Sequence, residues 1–255
     1  MATYLHTQGY QVIGTSRKVN HGEVRNGITY VQLDVCSEVS IQSAVDYILN
    51  EFGQIDVLIN NAGIGMVGSV EDGSIKEMQA HFDTNFYGPL RVLQAVLPHM
   101  RKRKSGRIIN ISSLAGLFGL PYRGGYSAAK YALNGLTETL RMEVLQFGIH
   151  TSLICPGDFK TDIKDSRIEA EATKTSVYKE EFERVHDMLN AELDHSGDPI
   201  LVAHTALKAI RASKPRPYYI AASPFQRFVI HLRYWLPTSW FQWLMLRNYG
   251  MLSKQ

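Results

Sequence analysis

Short apolar runs alternate along this chain with longer segments of helical periodicity. Residues 55–59 and 107–111 are near-continuous apolar runs, which is typical of strands buried on both faces. Residues 38–52 place apolar side chains at three- and four-residue steps, and residues 126–147 form a second helical segment that Gly148 ends. The alternation implies parallel strands joined by crossover helices, so it predicts an α/β fold with a doubly wound parallel sheet.

The same patterns predict the other main elements. We expect strands at residues 10–15, 28–33, 150–154 and 218–221, and helices at residues 78–100 and 199–212. The 255 residues contain no internal repeat and no proline- or glycine-rich linker. We therefore expect a single domain over residues 1–255, with its cofactor-binding and catalytic core in residues 1–161.

Composition excludes several classes of protein. A net charge of +3 is too small to predict a nucleic-acid partner by itself. The chain has no apolar run long enough to span a membrane, and it does not open with a basic region followed by an apolar stretch. Cys36 and Cys155 lack the spacing of a metal site. These features favour a cytoplasmic protein without a bound metal.

A tyrosine and a lysine suggest acid/base chemistry. Tyr126 and Lys130 are four residues apart in a predicted helix, so they share one face. An ammonium beside a phenol lowers the pKa of the phenol, and a tyrosine tuned in this way can donate or accept the proton of a carbonyl/alcohol pair. Ser113 follows a buried strand at the sheet edge where such folds bind ligands, and its hydroxyl can donate to a carbonyl oxygen.

Each of these residues also has a plainer interpretation. A tyrosine and a lysine at this spacing usually belong to a solvated helix face. A serine after a strand usually bonds to local backbone, which is the interpretation we adopt for Ser112. Asn85 by itself would be interpreted as a helix-interior amide that bonds to nearby backbone.

An ordered set of further motifs separates these interpretations. Asn60 to Gly63 follow one buried strand, Asn85 lies in the segment 84–88, and Pro156 and Gly157 follow another strand, with Thr161 shortly after. Together with Ser113, Tyr126 and Lys130, they resemble the short-chain dehydrogenase/reductase family, and within it the hydroxysteroid and retinol dehydrogenase-like branch. The resemblance extends from Gly9 to Thr161.

The resemblance implies a Rossmann-like fold, an NAD(P) cofactor and a role for each residue. Tyr126 is implied as the acid/base, Ser113 as the group that polarises the substrate carbonyl, and Lys130 as the residue that holds the nicotinamide ribose. Asn85 is implied to anchor a water for proton relay. The other implied cofactor contacts lie on the adenosine side at Asn61, Ala62 and Gly63, and on the nicotinamide side at Pro156, Gly157 and Thr161.

The choice of cofactor is predicted from the end of another strand. An acid at such a position binds a ribose hydroxyl, whereas an arginine accommodates a ribose phosphate. Here Ser16 and Arg17 follow the strand and no acid does, so we expect NADP(H) in preference to NAD(H). Alternatively, Arg17 is a solvated surface cation. Asp34 matches the family position that contacts the adenine amine.

The family's first strand and its glycine-rich turn have no counterpart in the sequence. Residues 2–10 match later turns of the helix that normally follows them. We expect that the chain is truncated at its N-terminus, with the true start upstream, because the catalytic set is intact. A natural truncation is the alternative. In either case, weak cofactor binding is expected.

Residues after Thr161 are expected to form the substrate side. Residues 162–195 are charged and helix-prone and correspond to the family's substrate lid, and residues 224–255 are predicted aromatic and basic helices. Such helices suit either an apolar pocket wall with peripheral membrane contact or packing on the domain. The resemblance implies a lipophilic small-molecule substrate and a homo-oligomer.

Two other functions remain as alternatives. One is a catalytically impaired protein that acts as a membrane-surface or scaffolding protein through its C-terminal tail. The other is an epimerase or dehydratase of the wider superfamily, which also uses a tyrosine and a lysine. The catalytic set, with Ser113 and Asn85, favours the dehydrogenase.

Overall fold

The structure is a computed structural model that describes residues 1–160, 166–194 and 196–252, with the side chains of 192–194 excepted. Its larger sheet has four parallel strands in the order β4-β6-β7-β9. These strands are Val57–Asn60, Gly106–Ile111, Ile149–Pro156 and Tyr218–Ala221. Each overlaps a predicted strand, and the helices between them make the crossovers. The predicted α/β fold with a parallel sheet is therefore confirmed.

A second sheet contains the first three strands, in the order β1-β3-β2. The strands are Ile13–Ser16 for β1, Glu23–Arg25 for β2 and Ile28–Gln32 for β3. β1 and β3 are parallel, whereas β2 pairs antiparallel with β3. The antiparallel strand β2 is not among the predicted elements.

The two sheets are not joined by a ladder in the part of the chain that the structure describes. β1 and β4 each pair with a strand on one side only. Val12, next to β1, and Val57 in β4 nevertheless belong to one apolar cluster, to which Leu5 of the first helix contributes. β1 and β4 therefore meet through side-chain packing without backbone pairing.

Nine α-helices surround the sheets within the described residues. They are α1 Ala2–Thr7, α2 Glu38–Phe52, α3 Ile75–Phe82, α4 Gly88–Arg103, α5 Gly124–Val144, α6 Lys179–Asp194, α7 Ile200–Arg211, α8 Pro224–Trp235 and α9 Thr238–Asn248. α2 has the predicted bounds because the Ser37 hydroxyl accepts from the Ser40 N–H and Gly53 ends the helix in the left-handed region.

The long helix predicted over residues 78–100 is helical throughout, but its irregularity lies at a π-helical turn. α3 and α4 are separated by a π-helical turn at Asp83–Tyr87, which contains Asn85. Such wide turns locally break the regular hydrogen-bond ladder and frequently occur at functional sites. Here the turn places Asn85 at the carboxyl ends of the strands, completely buried.

Polar side chains join α5 to the middle of the larger sheet. The Ser112 hydroxyl donates to Asn134 Oδ1 over 2.6 Å, and Asn110 Nδ2 donates to Thr137 Oγ1 over 2.7 Å. Asn60 of β4 also donates to Asn110, over 2.9 Å. Because these side chains are buried, losing one partner would leave an unsatisfied polar group, so the bonds fix how α5 lies on β6.

Part of the chain that follows β7 lies again at the carboxyl edge of the larger sheet. The short strands β5 Met66–Val67 and β8 Ile168–Glu169 pair in parallel. α6 packs Val185 and Leu189 against Tyr249 near the C-terminus. Thr161, together with residues 162–165 and 195 of the predicted lid, lies outside the described residues.

The C-terminal helices α8 and α9 bury one side and expose aromatic groups on the other. Ile230 and Phe241 are buried, whereas Trp235 is 75% exposed and Trp240 is 66% exposed. Among the described helices, none combines the length and the apolar character that crossing a bilayer requires.

Gly148 provides a test of this fold. It has a φ of +68°, and a Cβ there would collide with the Lys104 carbonyl oxygen. We expect Gly148→Ala to lower the free energy of unfolding by about 1–3 kcal/mol in urea denaturation. Gly135→Ala is the matched control, because Gly135 lies in α5 with nothing within 4 Å of its added Cβ, and it should stabilise or change little. Equal effects of the two substitutions would contradict the described turn.

Candidate active site

A cavity of about 490 Å³ opens at the carboxyl ends of β4, β6 and β7. This is the edge at which open parallel sheets bind ligands. Ser113, Tyr126 and Lys130 all line it. Its other walls come from the segments after β4 and β7 and from residues near β8, with Ile64, Met66, Val67 and Phe159 as apolar members.

Ser113 and Tyr126 are adjacent in this cavity. Ser113 lies just beyond β6, where its Oγ accepts from the Ala115 N–H over 3.1 Å. A hydrogen bond from Ser113 lowers the pKa of Tyr126, and nearby Arg123 also lowers it. Burial has the largest effect and raises the pKa of Tyr126 above its ordinary value.

The expectation that Lys130 lowers the pKa of Tyr126 stays a prediction, because burial dominates this pKa in the structure. The Lys130 ammonium lies 5.8 Å from the centre of the Tyr126 ring but donates to the Ile111 carbonyl oxygen over 2.9 Å. Burial lowers the pKa of Lys130 itself to about 8, since its charge is poorly solvated. The ammonium therefore donates its hydrogen bond to the Ile111 carbonyl of β6 rather than to the Tyr126 phenol.

Asn85 is held firmly against the segment after β4. Its Oδ1 accepts from the Ile64 N–H over 2.9 Å, and its Nδ2 donates to the Ile64 carbonyl over 2.8 Å. A Cβ on Gly63 would lie 2.9 Å from Asn85 Oδ1 and 3.6 Å from Lys130 Nζ. Asn85 and Lys130 therefore approach the same glycine, and only a residue without a side chain leaves that space open.

His81 is a member of this cluster that the sequence analysis did not identify. It is completely buried in α3, its Nε2 contacts Asn85 Nδ2, and its ring lies edge-on to Tyr126 with centroids 5.9 Å apart. Burial lowers the pKa of His81 to about 4. The signal was available, because His81 precedes Asn85 by four residues, which is one turn of a helix.

The remaining predicted contacts divide into two places. Asn61, Gly63, Pro156 and Gly157 line the cavity, whereas Ala62 lies beside them without lining it. Gly157 is held to the last strand by its N–H, which donates to the Ala221 carbonyl over 2.8 Å. The predicted contact at Thr161 lies outside the described residues.

The second place is a separate hollow of about 430 Å³ at the carboxyl ends of β1 and β3, lined by Arg17 and Asp34. Ser16 lies at its edge and accepts from the Lys18 N–H over 3.2 Å. Asp34 Oδ1 accepts from the Cys36 N–H over 2.9 Å, which leaves its other oxygen available. Arg17 is exposed and is in no ion pair with any described residue.

These two places fit the two ends of a dinucleotide. The buried Lys130 and the cavity fit a nicotinamide ribose, and the hollow with Arg17 fits an adenosine ribose. Between them, the described residues offer no glycine-rich turn at a helix N-terminus for a pyrophosphate. The residues present therefore fit both ends of an NAD(P) molecule, but none that the structure describes fits its centre.

Three charged residues of the cavity were also missed. Arg123 and Asp158 form an ion pair with 3.9 Å between Nη1 and Oδ1, and Arg167, within the predicted lid, lines the cavity. All three act on the pKa of Tyr126. No sequence pattern identifies Arg167, because it falls in the charged, helix-prone segment 162–195.

Comparisons with known proteins agree with this geometry. The sequence profile of a family described as short chain dehydrogenase matches residues 1–172. A 3-ketodihydrosphingosine reductase from Bacteroides thetaiotaomicron is 38% identical over 254 residues, which cover 98% of this chain and 93% of that protein. Human 17-beta-hydroxysteroid dehydrogenase type 1 is 35% identical, over 76% of this chain and 60% of that protein. Bovine retinol dehydrogenase 8 is 40% identical, over 65% of this chain and 55% of that protein.

Solved structures show the same likeness. A short-chain dehydrogenase from Streptomyces avermitilis has a TM-score of 0.81 at 27% identity, covering 98% of this chain and 91% of that one. A short chain dehydrogenase/reductase from Burkholderia phymatum, solved in complex with NAD, has a TM-score of 0.69 at 27% identity, covering 82% and 75%.

The buried His81 predicts a pH dependence of stability. In the unfolded chain its imidazole gains a proton below about pH 6.5, whereas in the folded protein it does so only near its lowered pKa of about 4. The unfolded state therefore binds more protons between these values, and stability should fall by up to about 3 kcal/mol as the pH falls through them.

Urea denaturation at pH 7 and pH 4 checks this prediction. His81→Gln should remove most of this pH-dependent loss, whereas His21→Gln, at an exposed site, should keep it. If both variants lose stability with falling pH as the parent does, His81 is not buried in its neutral form.

Proposed function

Because this chain belongs to the short-chain dehydrogenase family and is thus an NAD(P)-dependent oxidoreductase of alcohols and carbonyls, we propose the finer assignment that follows. The protein interconverts a lipophilic carbonyl compound and its alcohol, with NADP(H) as the preferred cofactor and Tyr126 as the acid/base. The observation that carries the proposal is the meeting of Ser113, Tyr126 and Lys130 in one cavity at the sheet edge.

Ser113 and Tyr126 act together on the substrate oxygen. The Ser113 hydroxyl donates to the carbonyl oxygen and holds it beside the phenol. A nicotinamide cofactor held by Lys130 would supply the hydride chemistry at the carbonyl carbon. In reduction, the Tyr126 hydroxyl gives its proton to the oxygen as negative charge develops there, and in oxidation the phenolate accepts that proton. Before substrate binds, the Ser113 hydroxyl bonds to Tyr126 instead, and that bond favours the phenolate.

Lys130 and Asn85 connect this chemistry to the rest of the molecule. We assign to Lys130 the binding of the cofactor's nicotinamide ribose. Its ammonium would either leave the Ile111 carbonyl to bind the ribose or donate to both at once. A bound cofactor and a phenolate at Tyr126 would both favour the charged form of Lys130. Asn85 keeps the Ile64 backbone and Gly63 in place beside the ammonium, where a relay water would bind.

The other cofactor contacts extend from these residues. Pro156, Gly157 and Thr161 are assigned to the nicotinamide side, and Asn61, Ala62 and Gly63 to the adenosine side. Arg17, with Ser16, would bind the ribose phosphate of NADP(H), and Asp34 the adenine amine. NAD(H) is the alternative cofactor, because a structural relative was solved in complex with NAD.

Apolar walls and the relatives' names support a lipophilic substrate. Ile64, Met66, Val67 and Phe159 supply an apolar lining. The similar proteins are named for a 3-ketodihydrosphingosine, a retinol and a hydroxysteroid. We assign residues 162–195 as the lid over this cavity and residues 1–161 as the cofactor-binding and catalytic core.

We also propose peripheral contact of the C-terminal helices with a membrane surface, in an otherwise cytoplasmic homo-oligomer. α8 and α9 expose Phe225, Trp235 and Trp240, with Arg233 and Arg247 nearby. Aromatic groups beside cations suit the boundary of a bilayer. Co-sedimentation with anionic vesicles, compared before and after Trp235→Ser and Trp240→Ser, tests the contact, and equal pelleting would contradict it.

Tyr126→Phe is the direct test of the mechanism. The variant retains the ring but has no proton to transfer, so turnover of NADPH with decanal or 2-decanone should fall by about 10²–10⁴-fold. Tyr131→Phe, on the same helix and 44% exposed, is the matched control and should retain the parent rate. Unchanged turnover by Tyr126→Phe would show that another group transfers the proton.

Arg17→Ala tests the choice of cofactor. Loss of a charged hydrogen-bond donor to phosphate should weaken NADPH binding by about tenfold or more, with little change for NADH. Fluorescence titration of both cofactors measures this, and Lys18→Ala is the control for a neighbouring exposed cation. If Arg17→Ala weakens both cofactors equally, Arg17 does not read the ribose phosphate.

A further inference from the structure

The substrate side of the cavity carries more positive than negative charge. Lys130 faces the proposed cofactor position, while Arg123, Asp158 and Arg167 lie along the remaining wall. Asp158 is already committed, because it pairs with Arg123 at 3.9 Å and accepts from Gln226 Nε2 over 2.8 Å. Among the described residues, Arg167 is the cation of this wall that forms no ion pair, and the Glu169 carboxylate acts on its charge only from beyond ion-pair distance.

Arg167 is built into the fold at a fixed position. The next residue, Ile168, donates its N–H to the Gly65 carbonyl over 2.9 Å at the start of the β5–β8 pair. The aliphatic part of the Arg167 side chain packs against Gly65. On the other side, Arg167 Nη1 lies 2.7 Å from His186 Nε2 and 3.2 Å from Asn190 Oδ1, both on α6.

The partners of Arg167 are neutral. Burial and the Arg167 charge lower the pKa of His186, so its imidazole accepts as the uncharged form. Within the described residues, no carboxylate lies within ion-pair distance of the Arg167 guanidinium. Burial and the nearby Arg123 charge lower the pKa of Arg167 as well, which marks a site where positive charge is poorly stabilised.

A half-buried cation without a counter-charge loses hydration and gains little in return. The guanidinium uses Nη1 for its neutral partners, which leaves Nη2 and Nε to offer a planar pair of donors. Such a pair matches the two oxygens of a carboxylate or a phosphate. An anion from a ligand would complete the site.

We propose that Arg167 is a specificity-determining residue that binds an anionic group of the substrate, a carboxylate or a phosphate, close to the carbonyl that Ser113 and Tyr126 hold. This rests on the proposed function and narrows its substrate class to amphiphilic carbonyl compounds with a negative charge near the reacting group. The apolar lining would receive the remainder of the molecule.

The phosphates of the cofactor are the other source of the same chemistry. The position of Arg167 favours the substrate as the source of the anionic group, because Arg167 lines the cavity together with Arg123 and Met66. The proposed adenosine end of the cofactor is instead the separate hollow beside Arg17. The experiment must still separate the two sources.

The test compares binding of 3-formylbenzoate with that of its neutral methyl ester, by ligand-observed NMR titration of the full chain. The two probes share the carbonyl and the ring and differ in charge. The parent should bind the acid at least about tenfold more tightly than the ester, as expected for a charge-assisted hydrogen bond. Arg167→Gln keeps a donor towards His186 but removes the charge, and its acid-to-ester ratio should fall close to one.

Arg167→Lys is the conservative variant, and it should retain a preference for the acid although it lacks the planar fork. Arg211→Met removes an exposed cation outside the cavity and should leave the ratio as in the parent. Circular dichroism and urea denaturation verify that each variant is folded. NADPH titration of every variant should give the parent's affinity.

Four results would overturn the proposal. The first is a parent that does not prefer the acid, and the second is a preference that survives Arg167→Gln. The third is an equal loss of the acid preference in Arg211→Met. The fourth is a loss of NADPH affinity in Arg167→Gln with the acid preference intact. The last result would assign Arg167 to the cofactor phosphates. Failure of the proposed function is seen separately, as absence of NADPH-dependent turnover in a parent that still prefers the acid.

Discussion

The active site depends on a line of buried polar contacts between α5 and β6. Lys130, Asn134 and Thr137 recur on one face of the helix, and each bonds to the strand or to the residue that follows it. None of these groups could lose its partner without leaving a buried polar atom unsatisfied. The contacts therefore fix both the height and the rotation of α5, and Tyr126 is brought to Ser113 as a consequence.

This line also explains why the structure and the expected chemistry differ in detail. The ammonium of Lys130 is one of the contacts that hold the helix, so it points to the Ile111 carbonyl and not to the Tyr126 phenol. Burial then dominates the pKa of Tyr126 and raises it, while Ser113 and Arg123 act in the opposite direction. A cofactor ribose that bonds to Lys130 would change this balance, which links cofactor binding to the readiness of Tyr126 to ionise.

The sequence predicted the elements whose burial and capping are local. β4 and β6 are apolar runs, and α2 has a serine cap at one end and Gly53 at the other. β2 could also have been predicted, because Asn26 and Gly27 both have positive φ in the tight turn of its hairpin, and this dipeptide is a hairpin signal. The pairing of β5 with β8 could not, since two-residue strands far apart in the chain carry no periodicity.

The residues of the site likewise divide into those that the sequence predicted and those that it did not. Ser113, Tyr126 and Lys130 were found because helix spacing and strand ends determine their positions. Arg167 and Asp158 were not, because a charged residue in an irregular segment has the same sequence appearance whether it faces solvent or a cavity. Only the packing of β8 and α6 shows that the charge of Arg167 is turned inwards.

The most direct measurement is the transfer of label from NADPH deuterated at the nicotinamide C4 to a panel of lipophilic aldehydes and ketones, at millimolar cofactor. If Ser113, Tyr126 and Lys130 form a carbonyl-reducing site, deuterium must appear on the carbinol carbon of the product, with the hydroxyl proton drawn from solvent. An altered product that carries no deuterium, with all the label retained in the cofactor, would contradict the account and indicate epimerase or dehydratase chemistry.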